Sequence, residues 1–453
     1  MNKYDSYKDS DIQWIEKIPI SWDTKKLKFL GTVYGGLTGK KGDDFGDEDN
    51  PKNKQYIPYT NIFNNTFISK DHFDYVVLEK DEKQNLVKKN DLFVLMSSEN
   101  YEDLGKTSIL VDDCEELYLN SFCKGFRTTK ENMNPIFINY QLQGHLHREL
   151  ISVEGSGFTR INLKQSKLLN IPILITSLKE QNQIVSYLDQ KNQHIDDLVK
   201  KIKQKVKLLK EQRTSLINEV VTKGLNPNVE MKDSGVEWVG GIPSHWKILK
   251  LKRVGKIFGG LTDKSGDDFG QNDNPLNKPY IPYTNIFQNT YISKEQFDFV
   301  SIKPEETQNN VKKLDLFFLM SSENFDDLGK TSILIDDVEE LYLNSFCKGF
   351  RVNNTDTNPF FLNYQLNSNV FKKLISIDGF GFTRINLRQG KLLGISILLP
   401  SLKEQEQIVL YLDEKTKFID ESISKEEKRI QLLKEYKQSL ISEVVTGKRR
   451  VVN

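Results

Sequence analysis

Ser177 to Gly224 reads SLKEQNQIVSYLDQKNQHIDDLVKKIKQKVKLLKEQRTSLINEVVTKG. The stretch is predicted to form one long helix. It opens with the S-x-x-E spacing of a capping box, Ser177 to Glu180, in which the hydroxyl accepts from a first-turn N–H and the carboxylate reaches back. It closes at Gly224, a residue free to take the left-handed turn that ends helices. Between the caps, Leu188, Ile195, Ile202, Leu209 and Leu216 recur every seven residues. Val185, Val199, Val206 and Val220 fill the second seam position, with Asn192 and Arg213 as polar interruptions. That is a coiled-coil seam. At about 1.5 Å per residue it makes a rod of about 70 Å.

A rod with one apolar seam needs a partner, and Ser401 to Gly447 supplies it. The capping-box spacing returns at Ser401 and Glu404, and the seam at Leu412, Ile419, Leu433, Leu440 with Val409, Ile423, Ile430, Val444. Asn192 becomes Thr416 and Arg213 becomes Lys437, so these four are candidates for fixing an antiparallel register. Glu426 spoils one seam position and marks a candidate for a local break or a partner contact.

The helices end the two copies of a larger repeat. Trp14 matches Trp238, and Ile18-Pro19 matches Ile242-Pro243, 224 positions later. Tyr56–Phe63 matches Tyr280–Phe287, Leu95–Asn100 matches Leu319–Asn324, Asn120–Arg127 matches Asn344–Arg351, and Gly157–Leu163 matches Gly381–Leu387. The offset never changes. Between Gly31–Arg127 and Gly255–Arg351 roughly seven positions in ten are identical, and so long a period means duplicated domains, not a solenoid. The linear division is therefore 1–176, a globular module; 177–224, a long helix; 225–400, a second module; and 401–453, a second long helix and tail. Within a module, Leu27–Tyr34, Tyr56–Tyr59, Leu92–Met96, Thr107–Val111 and Glu116–Leu119 are short apolar runs between turn residues, which predicts a strand-rich α+β domain. Asn134-Pro135 and Asn358-Pro359 are N-cap and first-turn pairs, the first predicting a helix to about Leu150.

With 453 residues the chain has room for two to four domains. A net charge of +1 does not announce nucleic acid. Three cysteines without a pairing pattern suit a reducing compartment. No apolar run approaches the roughly 20 residues of a bilayer span. The expectation is a soluble cytoplasmic protein with no membrane contact.

Motifs for catalysis are missing: there is no P-loop, G-x-S-x-G, H-E-x-x-H or C-x-x-C. His72, His145, His147 and His194 are Gln296, Asn369, Phe371 and Phe418 in the second copy, and His245 is Ser21 in the first. A catalytic or metal histidine confined to one copy does not fit two copies otherwise so alike. His145 and His147 are read as surface residues of a helix. The loop Gly42–Asp49 is acidic but lacks the spaced ligands of a calcium site, and Asp47 and Glu48 become Gln271 and Asn272. Asn134-Pro-Ile-Phe137 lacks the second proline of the N-P-P-[YF] methyltransferase motif, and no glycine-rich cofactor loop accompanies it. No metal and no cofactor is expected.

What remains is recognition chemistry. Tyr59, Thr60 and Asn61 bring hydroxyl and amide groups of the kind that bond base edges and phosphates. Ser97, Ser98, Asn100 and Lys106 surround a second loop, and Thr159, Arg160 and Asn162 sit in a third, flanked by glycine. The same residues return as Tyr283, Thr284, Asn285, Ser321, Ser322, Asn324, Lys330, Thr383, Arg384 and Asn386. Singly, each reads equally well as an ordinary loop. Their joint retention, while intervening positions drift, favours function. The aromatics Tyr56, Tyr59, Phe63, Phe122, Phe126 and Phe158 are read as core in preference to base-stacking.

The order of module, helix, module, helix resembles the DNA-specificity subunit of type I restriction–modification systems. The matching pieces are Trp22 before Leu27–Leu30, Ile57-Pro58-Tyr59, Lys88-Lys89-Asn90-Asp91-Leu92, Leu104-Gly105-Lys106, and Ser177-Leu-Lys-Glu-Gln181 with Ile184. Nearly all recur, with Leu314 in place of Asn90. Thr176 departs from a usual proline that the second copy keeps as Pro400. The resemblance implies two target-recognition domains, each reading half of a split site in double-stranded DNA. It implies helices that set the spacing and dock two methyltransferase subunits, with nuclease/translocase subunits joining that core. Catalysis then belongs to the partners. If the helices pair antiparallel, a pseudo-two-fold relates the modules and a near-palindromic target follows. Alternatives from other classes are a methyltransferase or nuclease with a divergent active site, and a protein-binding scaffold.

Overall fold

The computed structural model describes residues 3–12, 15–46, 50–236, 238–270, 274–381 and 383–451. Trp14, the acidic run 47–49, its counterparts Gln271 and Asn272, and Phe382 lie outside them.

Two compact units emerge: Met1–Lys203 with Lys428–Asn453, and Gln204–Glu427. The second spans one full period of the repeat. The long helices are Leu178–Lys223 and Leu402–Val445, and each gives part of its length to either unit. In the first unit Ile184, Val185 and Leu188 share a core with Leu440, Ile441, Val444 and Val445, and Lys437 Nζ lies 2.7 Å from Asp196. In the second, Ile217, Val220 and Val221 pack with Ile408, Val409 and Leu412, Val206 packs with Ile419 and Ile423, and Arg213 Nε lies 2.9 Å from Asp420. Rising numbers on one helix meet falling numbers on the other, so the pairing inside each unit is antiparallel. Each buried Leu, Ile or Val contributes about 1.5–3 kcal/mol.

Three expectations about the helices change. Glu426 makes no break: the helix runs through it, and Lys205 Nζ reaches its carboxylate at 2.6 Å. Asn192 and Thr416 do not read the opposite helix; they turn to module tyrosines, Asn192 donating to Tyr140 Oη at 3.3 Å and Thr416 lying 3.4 Å from Tyr364 Oη. The capping boxes are half-formed. Ser177 and Ser401 each accept from the N–H three residues on, at 3.3 Å. Glu180, however, accepts from Tyr4 Oη at 2.6 Å and from the Thr176 hydroxyl. Glu404 accepts from Trp246 Nε1 at 3.0 Å. These carboxylates clamp the start of each module instead of the helix end. Gly224 and Gly447 take φ of 75° and 69°, the left-handed turn that ends each helix.

Each module is built on an antiparallel four-stranded sheet. In the first unit its order is Gly31–Gly35, Cys123–Thr128, Leu92–Leu95, Thr107–Ile109. Beside it, Tyr118–Leu119 runs parallel to Asn53–Ile57, which pairs antiparallel with Asp74–Val77. Pro172–Ile175 pairs with Asp23–Lys26 just before the long helix begins. Leu27–Phe29, expected as strand, is a 3-10 turn. The helix from Pro135 stops at Gln143 and restarts at His145, because Gly144 is extended; Asn134 caps it, accepting from Ile136 N at 2.8 Å. Gln181 fixes this start to the long helix: its side chain accepts from Asn134 N at 2.8 Å and donates to Asn132 O at 3.1 Å. Gln405 repeats the arrangement on Asn358 and Asp356. No described helix is long and apolar enough to cross a membrane.

Candidate nucleic-acid interface

In the first unit three distant loops meet on one small sheet. The strand Ser97–Ser98 pairs with Ile161–Leu163, which pairs with Gly155–Ser156. The hairpin carrying Thr159 and Arg160 is thereby fastened to the Ser97–Asn100 stretch. Tyr59, at the start of the short helix Tyr59–Asn64, donates from its hydroxyl to Ser97 O at 3.2 Å and ties in the third loop. Burial pushes its phenol up, so it stays a neutral donor.

The loop after Ser98 is organised by Asp103. Asn100 Nδ2 donates to its carboxylate at 2.7 Å, Asp103 N–H donates back to Asn100 Oδ1 at 2.8 Å, and Lys106 Nζ lies 2.6 Å away. Burial pushes the Asp103 carboxyl up, but the Lys106 and Asn100 hydrogen bonds outweigh it and hold it below its ordinary value. Lys106 also lies 3.8 Å over the Phe63 ring, and Arg160 lies 5.3 Å over Phe122. The outcome is a polar face of fixed donors and two ring-supported cations.

The second unit repeats it. Ser321–Ser322 pairs with Ile385–Leu387, Tyr283 Oη donates to Ser321 O at 3.0 Å, Lys330 lies 4.7 Å over Phe287, and Arg384 lies 5.4 Å over Phe346.

The sequence candidates divide by burial. Thr60, Asn100, Thr159, Arg160 and Asn162 are exposed, Tyr59 and Lys106 half-buried, and Thr284, Asn324, Thr383, Arg384, Asn386, Tyr283 and Lys330 match them. Asn61 is 1% exposed and fully engaged: it donates to Ser69 O at 2.8 Å and His72 O at 2.9 Å and accepts from Ser69 N at 3.1 Å. Asn285 does the same with Ser293 and Gln296. These two asparagines hold a loop and have no free edge to read a base. Ser97, Ser98, Ser321 and Ser322 are also buried and form the underlying strand.

The aromatics correct the sequence reading in the other direction. Tyr56 and Phe126 are core, but Phe122 is 54% exposed and Phe158 stands fully free at 108%. The signal for them was position: both sit among turn residues with no alternating apolar neighbours. His147 also departs from expectation. It is fully buried, donating from Nε2 to Pro172 O at 3.0 Å, and burial lowers its pKa to about 4. Only His145 faces water, because residues two apart on a helix do not share a face. Cys123 and Cys347 are buried thiols pushed up to about 12, far from nucleophilic. The arrangement is suited to holding a polar, anionic surface.

A face of this kind on each of two sheet-and-helix modules, with long helices running out of them, defines a DNA-recognition protein built by duplication. A model of the family described as "Type I restriction modification DNA specificity domain" matches residues 19–208 and again 243–434. The chain belongs to that family. It is 25% identical over 444 residues to the type I restriction enzyme MjaVIII specificity subunit of Methanocaldococcus jannaschii, covering 96% of this chain and 95% of that one. It is 24% identical over 420 residues to the StySPI specificity subunit of Salmonella potsdam, covering 89% and 84%. Its fold is similar to that of a chain from a solved type I R-M assembly, with TM-score 0.69 at 16% identity, covering 95% of this chain and 99% of that one. It is also similar to the HsdS subunit of Thermoanaerobacter tengcongensis, with TM-score 0.54 at 15% identity, covering 95% and 98%.

Proposed function

We propose that this chain is the non-catalytic specificity subunit of a type I restriction–modification complex, and that its two units read matched half-sites of a split, near-palindromic sequence in double-stranded DNA. The carrying observation is the sameness of the two faces. Every sequence-derived candidate in one unit has the identical residue in the other, on the same strand or loop. Identical readers on helices that pair antiparallel suit identical half-sites on opposite strands. Tyr59, Thr60, Asn100, Lys106, Thr159, Arg160 and Asn162, with their second-unit counterparts, are the proposed contacts. Asn61, Ser97 and Ser98 are their support.

Two methyltransferase subunits dock along the helices in this reading, and nuclease/translocase subunits join them. Those partners carry the catalysis and part of the phosphate neutralisation, which reconciles DNA binding with a net charge of +1. The complex works in the cytoplasm, and this subunit needs no cofactor of its own. Genome-wide mapping of methylated positions in cells carrying the chain and its partners tests the reading. Two matched half-sites in inverted orientation are expected, and two unrelated half-sites overturn it.

A further inference from the structure

Phe158 is as open to water as it would be in an unfolded chain, at 108% relative exposure. A single exposed apolar residue needs no explanation. A hairpin built to keep it exposed does. Gly157 has φ of 147°, and a Cβ there would come within 2.1 Å of Arg160 O. The chain therefore folds back on itself immediately beside Phe158. Asn162 Nδ2 donates to Arg160 O at 3.0 Å and locks that return. Gly155 and Ser156 pair with Leu163 and Asn162. Arg160 is braced over Phe122, itself 54% exposed. Gly155, Ser156 and Arg160 are held by these contacts, and the ring between them stands outward.

The frame recurs in the second unit. Gly381 has φ of 124° with the same 2.1 Å approach to Arg384 O, Asn386 donates to that oxygen at 3.1 Å, and Arg384 braces over Phe346, 57% exposed. A free aromatic ring at a glycine-turned hairpin tip, beside a hydroxyl and a guanidinium, has the make-up of a side chain that enters a base step while its neighbours grip the backbone.

We propose that Phe158 is an apolar wedge that inserts between adjacent base pairs of the half-site read by the first unit, unstacking that step, with Thr159 and Arg160 holding the flanking phosphates. This rests on the DNA-recognition reading and adds a deformation of the DNA to it. The ring touches nothing in the free protein, so its removal leaves the fold intact.

The test uses the assembled complex and a duplex bearing the chain's own methylated motif, with 2-aminopurine placed in turn at each position outside the methylated base. Wild type raises the fluorescence at one step of the half-site read by the first unit. Phe158→Ala loses that rise and binds about 5- to 100-fold more weakly. Phe158→Leu, still an apolar wedge, retains the rise. An undiminished rise in Phe158→Ala overturns the wedge while specific binding persists and the recognition reading stands. Failure of Phe158→Ala to assemble with the methyltransferase subunits also overturns it, by assigning the ring to a protein contact. Absence of specific binding by wild type removes the recognition reading itself, and the wedge with it.

Discussion

His147 in the first unit and Phe371 in the second are both fully buried in corresponding helices. Tyr34 and Phe258 lie under equivalent arginines at the same 5.1 Å, and Phe67 and Tyr291 trade a hydroxyl in the other direction. At these positions the two units have thus exchanged polar for apolar groups of similar size. The proposed reading face has not changed in this way: Tyr59, Thr60, Asn100, Lys106, Thr159, Arg160 and Asn162 are the same residues in both units. Packing asks for volume, and a core can supply that with several residues. A donor that must meet a base edge or a phosphate at fixed geometry has fewer substitutes. Retention alone does not mark a reader, since the buried supports Asn61, Ser97 and Ser98 are retained as well; it is retention together with exposure that singles out the proposed contacts.

The largest effect expected from this equality concerns the paired arginines. Arg160→Ala and Arg384→Ala should each weaken specific DNA binding by about 10- to 100-fold, the loss of one charged contact of roughly 1–3 kcal/mol. The double variant should lose nearly all of it while assembly with partner subunits persists. Titration of the labelled motif with the assembled complex measures this. Effects of the two single variants that differ by more than about threefold would break the claim of equal readers.

His147 offers a way to sharpen the contrast of interiors. Its folded pKa is about 4, below the ordinary 6.5, because burial disfavours the charged form. Between those values the unfolded chain binds a proton that the folded unit refuses, so stability falls as pH drops from 6.5 toward 4. The loss should reach about 2–3 kcal/mol near pH 4. Hydrogen exchange at pH 7 and pH 4.5 should show the helix His145–Val153 weakening more than Asn369–Ser376, with His147→Phe removing the excess. Equal acid sensitivity of both helices in wild type would count against it.

A similar but smaller loss is expected at Asn61. Its replacement by alanine orphans Ser69 N, Ser69 O and His72 O and should cost about 1–3 kcal/mol of unit stability. Asn100→Ala, whose exposed side chain bonds only Asp103 within its own loop, should cost less stability than Asn61→Ala and weaken DNA binding. A reversal of the two phenotypes would return Asn61 to the reading set.

The helices and the duplication were legible because periodicity and exact repetition are properties of the sequence itself. Burial within a loop was not. Asn61 and Thr60 are adjacent, polar and equally retained, and only the folding of Ser69 and His72 over one of them tells them apart. Glu180 had the spacing of a capping residue, but Tyr4, far away in sequence, competes for it successfully. Phe158 read as core because aromatic rings usually are. Its freedom depends on a glycine turn whose consequence is three-dimensional. Local rules described local partners well and failed wherever a distant group offered a better one.

Near the reading face a few substitutions do separate the units. Ser156 in the first hairpin is Phe380 in the second, 44% exposed and lying under Arg388 at 4.7 Å, where the first unit has Lys164. Grafting the second pair onto the first unit, Ser156→Phe with Lys164→Arg, makes the two hairpins alike. If the shared residues carry the specificity, the graft leaves the methylated motif unchanged and shifts affinity by no more than about threefold, under 1 kcal/mol. Methylome sequencing of cells carrying the grafted chain decides it. A changed base in one half-site would show that the hairpin edge reads sequence, and would make the two units near-equal readers whose remaining difference lies at this edge.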